Sequence, residues 1–312
     1  MAFLVRERDG SYGYGEMLKD MNRLQERYPF IQVDSIGRSV MGRPIPALRI
    51  GMGRKEIHCN GAFHANEWIT TMLLMQFAEE YAGACSRQAA FGSFPAEELF
   101  GQTSLWLVPM VNPDGVELVH RGAAPEHPYY RQLLAWNGGS EDFSGWKANI
   151  RGVDLNDQFP AHWEAERERR AVAGPGPRDY GGVRPLSEPE AAAMAEFTRR
   201  HRFELVLAFH TQGKEIYWNY RNLEPRASEA IALRLERSSG YKAVKLGDSD
   251  AGYKDWFIQQ FGRPGFTIEA GIGVNPLPLD QFPDMYEATA QVMTEALACL
   301  AEPQWEQDRD RE

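Results

Sequence analysis

Apolar residues recur at helical spacing over residues 14–28, at Met17, Met21, Leu24 and Tyr28. Tyr28-Pro29 ends that segment, because the residue before a proline disfavours helix. Two short β-rich runs follow, IQVDSIG and IPALRIG, separated by the turn-like Met41-Gly42-Arg43. The next strand, EIHCNGAF, runs into His64, and a helix starts near Glu67 carrying Trp68, Met72, Met75 and Phe77. Residues 86–100 read as a loop, and TSLWLVPMV reads as a buried strand from its continuous apolar character. Asn112-Pro113-Asp114-Gly115 is turn chemistry. Residues 121–150 show little periodicity and read as a long loop region. The charge run EAERERR and the following Gly-Pro-Gly-Pro read as a surface connection within residues 163–186. Ser187 is the expected N-cap of a helix ending near His201, with Glu190 in capping-box position. ELVLAFH and GFTIEAG are apolar strands that deliver His210 and Glu269, and a last helix runs from about Asp284 to Leu300. Strands alternate with helices, which predicts a single-domain α/β fold, a mixed β-sheet flanked by helices on both faces.

The chain has 312 residues, and its 43% hydrophobic and 25% charged content supplies an ordinary globular core. No apolar run approaches the roughly 20 residues needed to cross a bilayer, so no membrane association is expected. The net charge of −10 and the lack of a basic tract argue against nucleic acid as a partner. The pattern does not specify an oligomeric state. Cys59, Cys85 and Cys299 show no metal-ligand spacing and read as buried thiols of a reducing compartment. Met1 to Gly10 lacks the apolar segment of a secretory signal. The expected organisation is an N-terminal extension or linker remnant over residues 1–13, a catalytic domain over 14–301 and an acidic tail over 302–312. The expected location is the cytoplasm or the spore or cell wall.

His64-Ala65-Asn66-Glu67 places an imidazole and a carboxylate three residues apart where a strand gives way to a helix. Residues at that spacing face the same way, so the pair can grip one side of a metal ion. A third ligand must come from elsewhere, and a fourth position stays open for water. His210 ends an apolar run at the mouth of a buried strand. It is either that ligand or a core histidine capped by a carbonyl. Glu269 ends another apolar strand, where a carboxylate is costly unless it is functional or held in a structural salt bridge. In open α/β sheets, sites lie at the carboxyl ends of strands.

H-x-x-E at 64–67 is followed by N-P-D-G at 112–115, G-V-D-x-N at 152–156, S-E-P-E at 187–190, H-T at 210–211, D-W at 255–256 and T-I-E at 267–269. In that order these motifs resemble the zinc metallocarboxypeptidase family, from about Tyr14 to Leu300. The resemblance implies one zinc ion held by His64, Glu67 and His210. It also implies Glu269 as the general base toward the attacking water, and a cationic side chain that stabilises the oxyanion.

Two features depart from the exopeptidases of that family. Their G-V-D-x-N is followed by an arginine that, with the asparagine, clamps the substrate's C-terminal carboxylate. Here Asn156 is kept but Asp157 stands in the arginine's place, an acceptor where a fork of donors is needed. The family's W-R matches Trp146-Lys147. Arg151 lies four residues on and is favoured as the catalytic cation because its fork is fixed and always charged, with Lys147 as the alternative. Lys254, before Asp255-Trp256, falls near the position that sets side-chain specificity, unless it merely pairs with Asp255 or Asp250. Thr211 and Gln212 directly follow a ligand and are expected at the substrate. WKANIRGVDLNDQFP and SDAGYKDWFI are similar to the bacterial branch of γ-D-glutamyl-meso-diaminopimelate peptidases. The resemblance implies a peptidoglycan stem peptide containing diaminopimelate as substrate, the alternative being a metallocarboxypeptidase or N-acyl amino acid deacylase acting on another substrate. Asp157 would receive its ammonium, and Lys254 or Arg151 a carboxylate.

Overall fold

A computed structural model describes residues 12–302. Most of the expected N-terminal extension and of the acidic tail lies outside the described residues. The chain opens with helix α1 (Tyr14–Arg27) and strands β1 (Gln32–Arg38), β2 (Pro44–Gly51) and β3 (Lys55–Asn60), followed by helix α2 (Ile69–Ser86). A two-strand hairpin, β4 (Ala90–Phe91) with β5 (Phe94–Pro95), leads through α3 (Ala96–Gln102) to β6 (Thr103–Val108). Four helices come next: α4 (Pro113–Arg121), α5 (Tyr130–Trp136), α6 (Trp163–Arg170) and α7 (Pro189–Arg200). The remainder runs β7 (Phe203–His210), β8 (Glu215–Tyr217), α8 (Ala227–Ser239), β9 (Lys242–Val244), α9 (Tyr253–Phe261), β10 (Gly265–Glu269) and α10 (Phe282–Ala301).

Eight strands form one mixed sheet in the order β1-β2-β6-β3-β7-β10-β8-β9. The central strands β6, β3, β7 and β10 are mutually parallel, so their carboxyl ends meet at one edge. Alternation along these strands divides the core. Ile57, Leu105, Leu207 and Ile268 pack with α1, α2, α8 and α10, while Trp106, Val206 and Ala208 pack with α7 and α9. Helices therefore cover both faces, as the parallel centre of the sheet requires. His58 and Cys59 fall on opposite faces and are wholly buried, His58 stacking on Phe203.

The pattern missed the short helices. The segment read as the turn Asn112–Gly115 opens α4, and the Asn112 side chain caps it by accepting from the Gly115 N–H at 3.0 Å. Residues 96–102, 130–136 and 163–170, read as loop or surface connection, also form helices. Each spans only seven or eight residues, too few for an apolar repeat to declare itself. Ser187 does not cap α7: that helix starts at Pro189 with Glu188 at the cap, while the Ser187 hydroxyl donates to Gln158 Oε1.

Glu190 lies in the first turn of α7 and is fully buried, accepting the Val40 N–H at 2.9 Å. Burial pushes its carboxyl up to about 7, and Asp114 and Glu188 add to the rise against the pull of that N–H. A carboxyl raised in the folded state stabilises the fold below its unfolded value, and that stability is lost as pH climbs through the folded value. Glu190→Gln should therefore gain about 1 kcal/mol of stability relative to wild type between pH 6 and pH 8. Paired thermal melts at the two pH values check this, and a difference that does not move with pH contradicts it.

Candidate metal centre and active site

Four side chains reach the carboxyl edge of the sheet from three directions. β3 ends at Asn60, and four residues on the chain presents His64, which precedes a single 3-10 turn (Ala65–Glu67) and then α2. His210 is the last residue of β7 and Glu269 the last of β10, in register with each other across the parallel pair. Gly271 then turns the chain away from β10 at φ +71°, where a Cβ would come within 2.5 Å of Leu277 and 2.9 Å of Met285. Asn112 fastens two of these approaches. Its Nδ2 donates to the carbonyls of Phe63 at 3.2 Å and Ala148 at 3.0 Å, one residue from His64 and one from Lys147. The Ala65 N–H donates to the Lys147 carbonyl at 2.9 Å.

His64, Glu67 and His210 are buried, with ligand atoms facing a common point. His64 Nδ1 lies 2.9 Å from Glu67 Oε1, His210 Nδ1 lies 3.0 Å from Glu67 Oε2, and the two Nδ1 atoms are 3.1 Å apart. Two imidazole nitrogens so close share at most one proton, which is poor packing for a structural cluster and suits a bound cation. A tetrahedral ion with the nitrogen and oxygen bond lengths of zinc spaces its ligand atoms about 3.3 Å apart, close to this triangle. The donor set of two imidazoles and one carboxylate fits zinc with an open position. His64 Nε2 lies 3.1 Å from Asp154 Oδ1, so a carboxylate orients this ring from behind, a common arrangement at metal-binding histidines. Sequence reasoning assigned Asp154 no role, although its place in G-V-D-x-N marked it. Burial pushes the Glu67 carboxyl up, but the His64 and His210 rings outweigh that and hold it well below the usual range. Burial acts to lower the His210 ring, yet its contact with Glu67 raises it overall.

Glu269 is half-buried, and burial pushes its carboxyl up to about 8; Glu67 and Glu215 add to the rise, while His210 and Lys147 oppose it. A divalent cation in the pocket would oppose the rise further. Lys147 is the cation of this edge. Its Nζ lies 2.9 Å from Asp154 Oδ2 and 3.8 Å from Asp179 Oδ1, with a side chain only 14% exposed. Burial acts to lower its pKa, but Asp154, Asp157 and Glu67 outweigh this and keep it charged.

Arg151, favoured from sequence for this place, is not brought to the site. Its side chain is 44% exposed and turns to Glu188, 3.6 Å away, and to the Tyr129 hydroxyl. The cause is local. Asn149 Oδ1 accepts the N–H groups of Arg151 and Val153, and Gly152 takes φ +70°. That tight turn keeps Lys147 inward and swings Arg151 outward.

The remaining expected residues are near the site but already engaged. Both oxygens of Asp157 accept from Arg170 of α6, at 3.1 and 3.3 Å, and the side chain is buried. Burial pushes its carboxyl up to about 7, with Asp154 adding and Arg170 opposing. The expected ammonium contact at Asp157 thus meets a carboxylate that already holds a cation. Asn156 accepts the Tyr253 N–H through Oδ1 at 3.1 Å. Lys254 is buried, with Nζ 2.5 Å from Asp255 and donating to the Asn219 carbonyl at 2.6 Å, so its pairing is internal. Thr211 donates its N–H to Glu67 Oε2 at 3.3 Å, and exposed Gln212 accepts the Gly273 N–H.

A family profile described as zinc carboxypeptidase matches residues 17–291. The γ-D-glutamyl-L-diamino acid endopeptidase 1 of Lysinibacillus sphaericus is 52% identical over 277 residues, 89% of this chain and 70% of that protein. Among solved structures, bovine thrombin-activatable fibrinolysis inhibitor bound to tick carboxypeptidase inhibitor superposes with a TM-score of 0.70 at 19% identity, over 96% of this chain and 99% of that one. Carboxypeptidase A from Helicoverpa armigera gives 0.69 at 18% identity, over 96% and 78%. These structures share the fold, the mixed sheet with helices on both faces.

Proposed function

Because this chain belongs to the zinc carboxypeptidase family, we propose that it is a zinc-dependent peptidase cutting the γ-D-glutamyl–meso-diaminopimelate bond of peptidoglycan stem peptides. The observation that carries the chemistry is the meeting of His64, Glu67 and His210 beside Glu269 and Lys147 at one sheet edge. The substrate class rests on the relative named for γ-D-glutamyl-L-diamino acid cleavage, more than half identical over most of this chain. Asp157 also supports it: an ordinary C-terminal exopeptidase needs a free cation there, and this chain has a carboxylate tied to Arg170.

His64, Glu67 and His210 would hold the zinc, which when bound supplies Lewis-acid polarisation and a more acidic water. Glu269 takes a proton from the water as its oxygen bonds to the γ-carbonyl carbon, then delivers that proton to the leaving amine of diaminopimelate. Lys147 faces the carbonyl oxygen as negative charge develops there, and Asp154 keeps Lys147 charged and in place. The products are a free γ-carboxylate and a free diamino acid amine.

Lys147→Met should lower kcat/KM by ~10²–10³-fold, the usual loss for one oxyanion donor. Arg151→Ala should stay within a few-fold of wild type, since its side chain points to solvent. Equal losses from the two variants would contradict the assignment. For the substrate, the protein is incubated with L-Ala-γ-D-Glu-meso-diaminopimelate beside a standard C-terminal carboxypeptidase peptide. Diaminopimelate release from the first supports the proposal. Cleavage of the second alone would overturn it in favour of a metallocarboxypeptidase acting on another substrate.

A further inference from the structure

Asn275 follows β10 by six residues and has no part in the motifs that mark the site, yet it touches a metal ligand. Its Nδ2 donates to Glu67 Oε1 at 3.3 Å and to the Thr211 carbonyl at 2.9 Å, and its Oδ1 accepts the Thr211 hydroxyl at 2.7 Å. The amide has only one workable orientation, since a flip would set its oxygen against both a carboxylate and a carbonyl. Each oxygen of Glu67 therefore faces one histidine and takes one hydrogen bond from the Thr211–Asn275 pair. Oε1 faces His64 and accepts from Asn275, while Oε2 faces His210 and accepts from the Thr211 N–H. Without this pair the carboxylate could rotate, and ordering it would fall to the metal.

We infer that Asn275 is a positioning residue for the metal centre: it fixes the plane of the Glu67 carboxylate and locks Thr211 beside it. The inference rests on His64, Glu67 and His210 forming that centre and is independent of the substrate. It requires that the contact with Glu67 matters, and not merely the order of the loop. Gln281 separates the two, because it holds the same loop through the N–H and carbonyl of Ile272, at 3.1 and 2.9 Å, and none of its hydrogen bonds reaches Glu67.

The test is zinc affinity, measured by competition against a chromophoric chelator, with thermal melts of the metal-free proteins alongside. Asn275→Ala should bind zinc ~10–100-fold more weakly than wild type, the usual loss for an outer partner of a ligand. Thr211→Val, which removes only the hydroxyl that orients the amide, should weaken binding in the same direction by less. Gln281→Ala should stay within threefold of wild type. Zinc affinity within threefold of wild type in both Asn275→Ala and Thr211→Val would overturn the inference. So would a loss in Gln281→Ala equal to that in Asn275→Ala, because loop order would then account for both. A wild-type protein that takes up no zinc would overturn the metal centre and this inference with it.

Discussion

Glu269→Gln is expected to lower kcat on the γ-D-glutamyl–diaminopimelate peptide by ~10³-fold or more while zinc binding stays near wild type. Glutamine keeps the shape and can still accept a hydrogen bond, but it cannot take a proton, and general-base contributions run to ~10²–10⁴-fold. The position argues for a base: Glu269 ends β10 in register with His210, and burial, with Glu67 and Glu215 adding to it, raises its proton affinity. Among the described residues the ligand atoms that converge are those of His64, Glu67 and His210, not Glu269, so the metal should remain. Steady-state rates and zinc per chain, taken on the same preparation, check both halves. A variant keeping a tenth of the activity would remove Glu269 from the proton transfer, and one that lost its zinc would make it part of the metal site.

The second large effect is expected at His210. His210→Ala removes one donor of the triangle and leaves Glu67 with His64 alone, which also allows the Glu67 carboxyl to rise toward its ordinary value. Four-ligand zinc sites bind with about 10–16 kcal/mol, so one ligand amounts to about 3 kcal/mol, and zinc affinity should fall by ~10²-fold or more. Activity at limiting zinc should fall at least as far. Metal analysis after dialysis measures this directly. Full zinc occupancy at wild-type affinity in His210→Ala would place the metal elsewhere.

The residues at strand ends were legible because two local signals coincide there. H-x-x-E at a strand-to-helix junction names His64 and Glu67, and a polar residue closing an apolar run names His210 and Glu269. The structure brings all four to one edge because the central strands are parallel, a consequence of the α/β alternation that the pattern also displays. What pattern could not supply was side-chain direction inside loops. Lys147 and Arg151 differ by four positions in an aperiodic segment, and only the turn built by Asn149 and Gly152 decides which points inward. Long-range partners were equally hidden. Arg170 belongs to a charge run that looks like any solvated surface, and nothing local announces its reach to Asp157. Asn275 is 64 residues from Thr211 and 208 from Glu67, in a loop with no repeat.

In the proposed function, one metal ion held by His64, Glu67 and His210 drives cleavage of a γ-D-glutamyl–diamino acid bond. The most direct measurement follows diaminopimelate release from L-Ala-γ-D-Glu-meso-diaminopimelate by mass spectrometry, before and after metal is stripped with a chelator and zinc is added back. Release by the purified protein, loss on stripping and recovery at about one zinc per chain are the expected results. Release that persists in the fully stripped protein would contradict it.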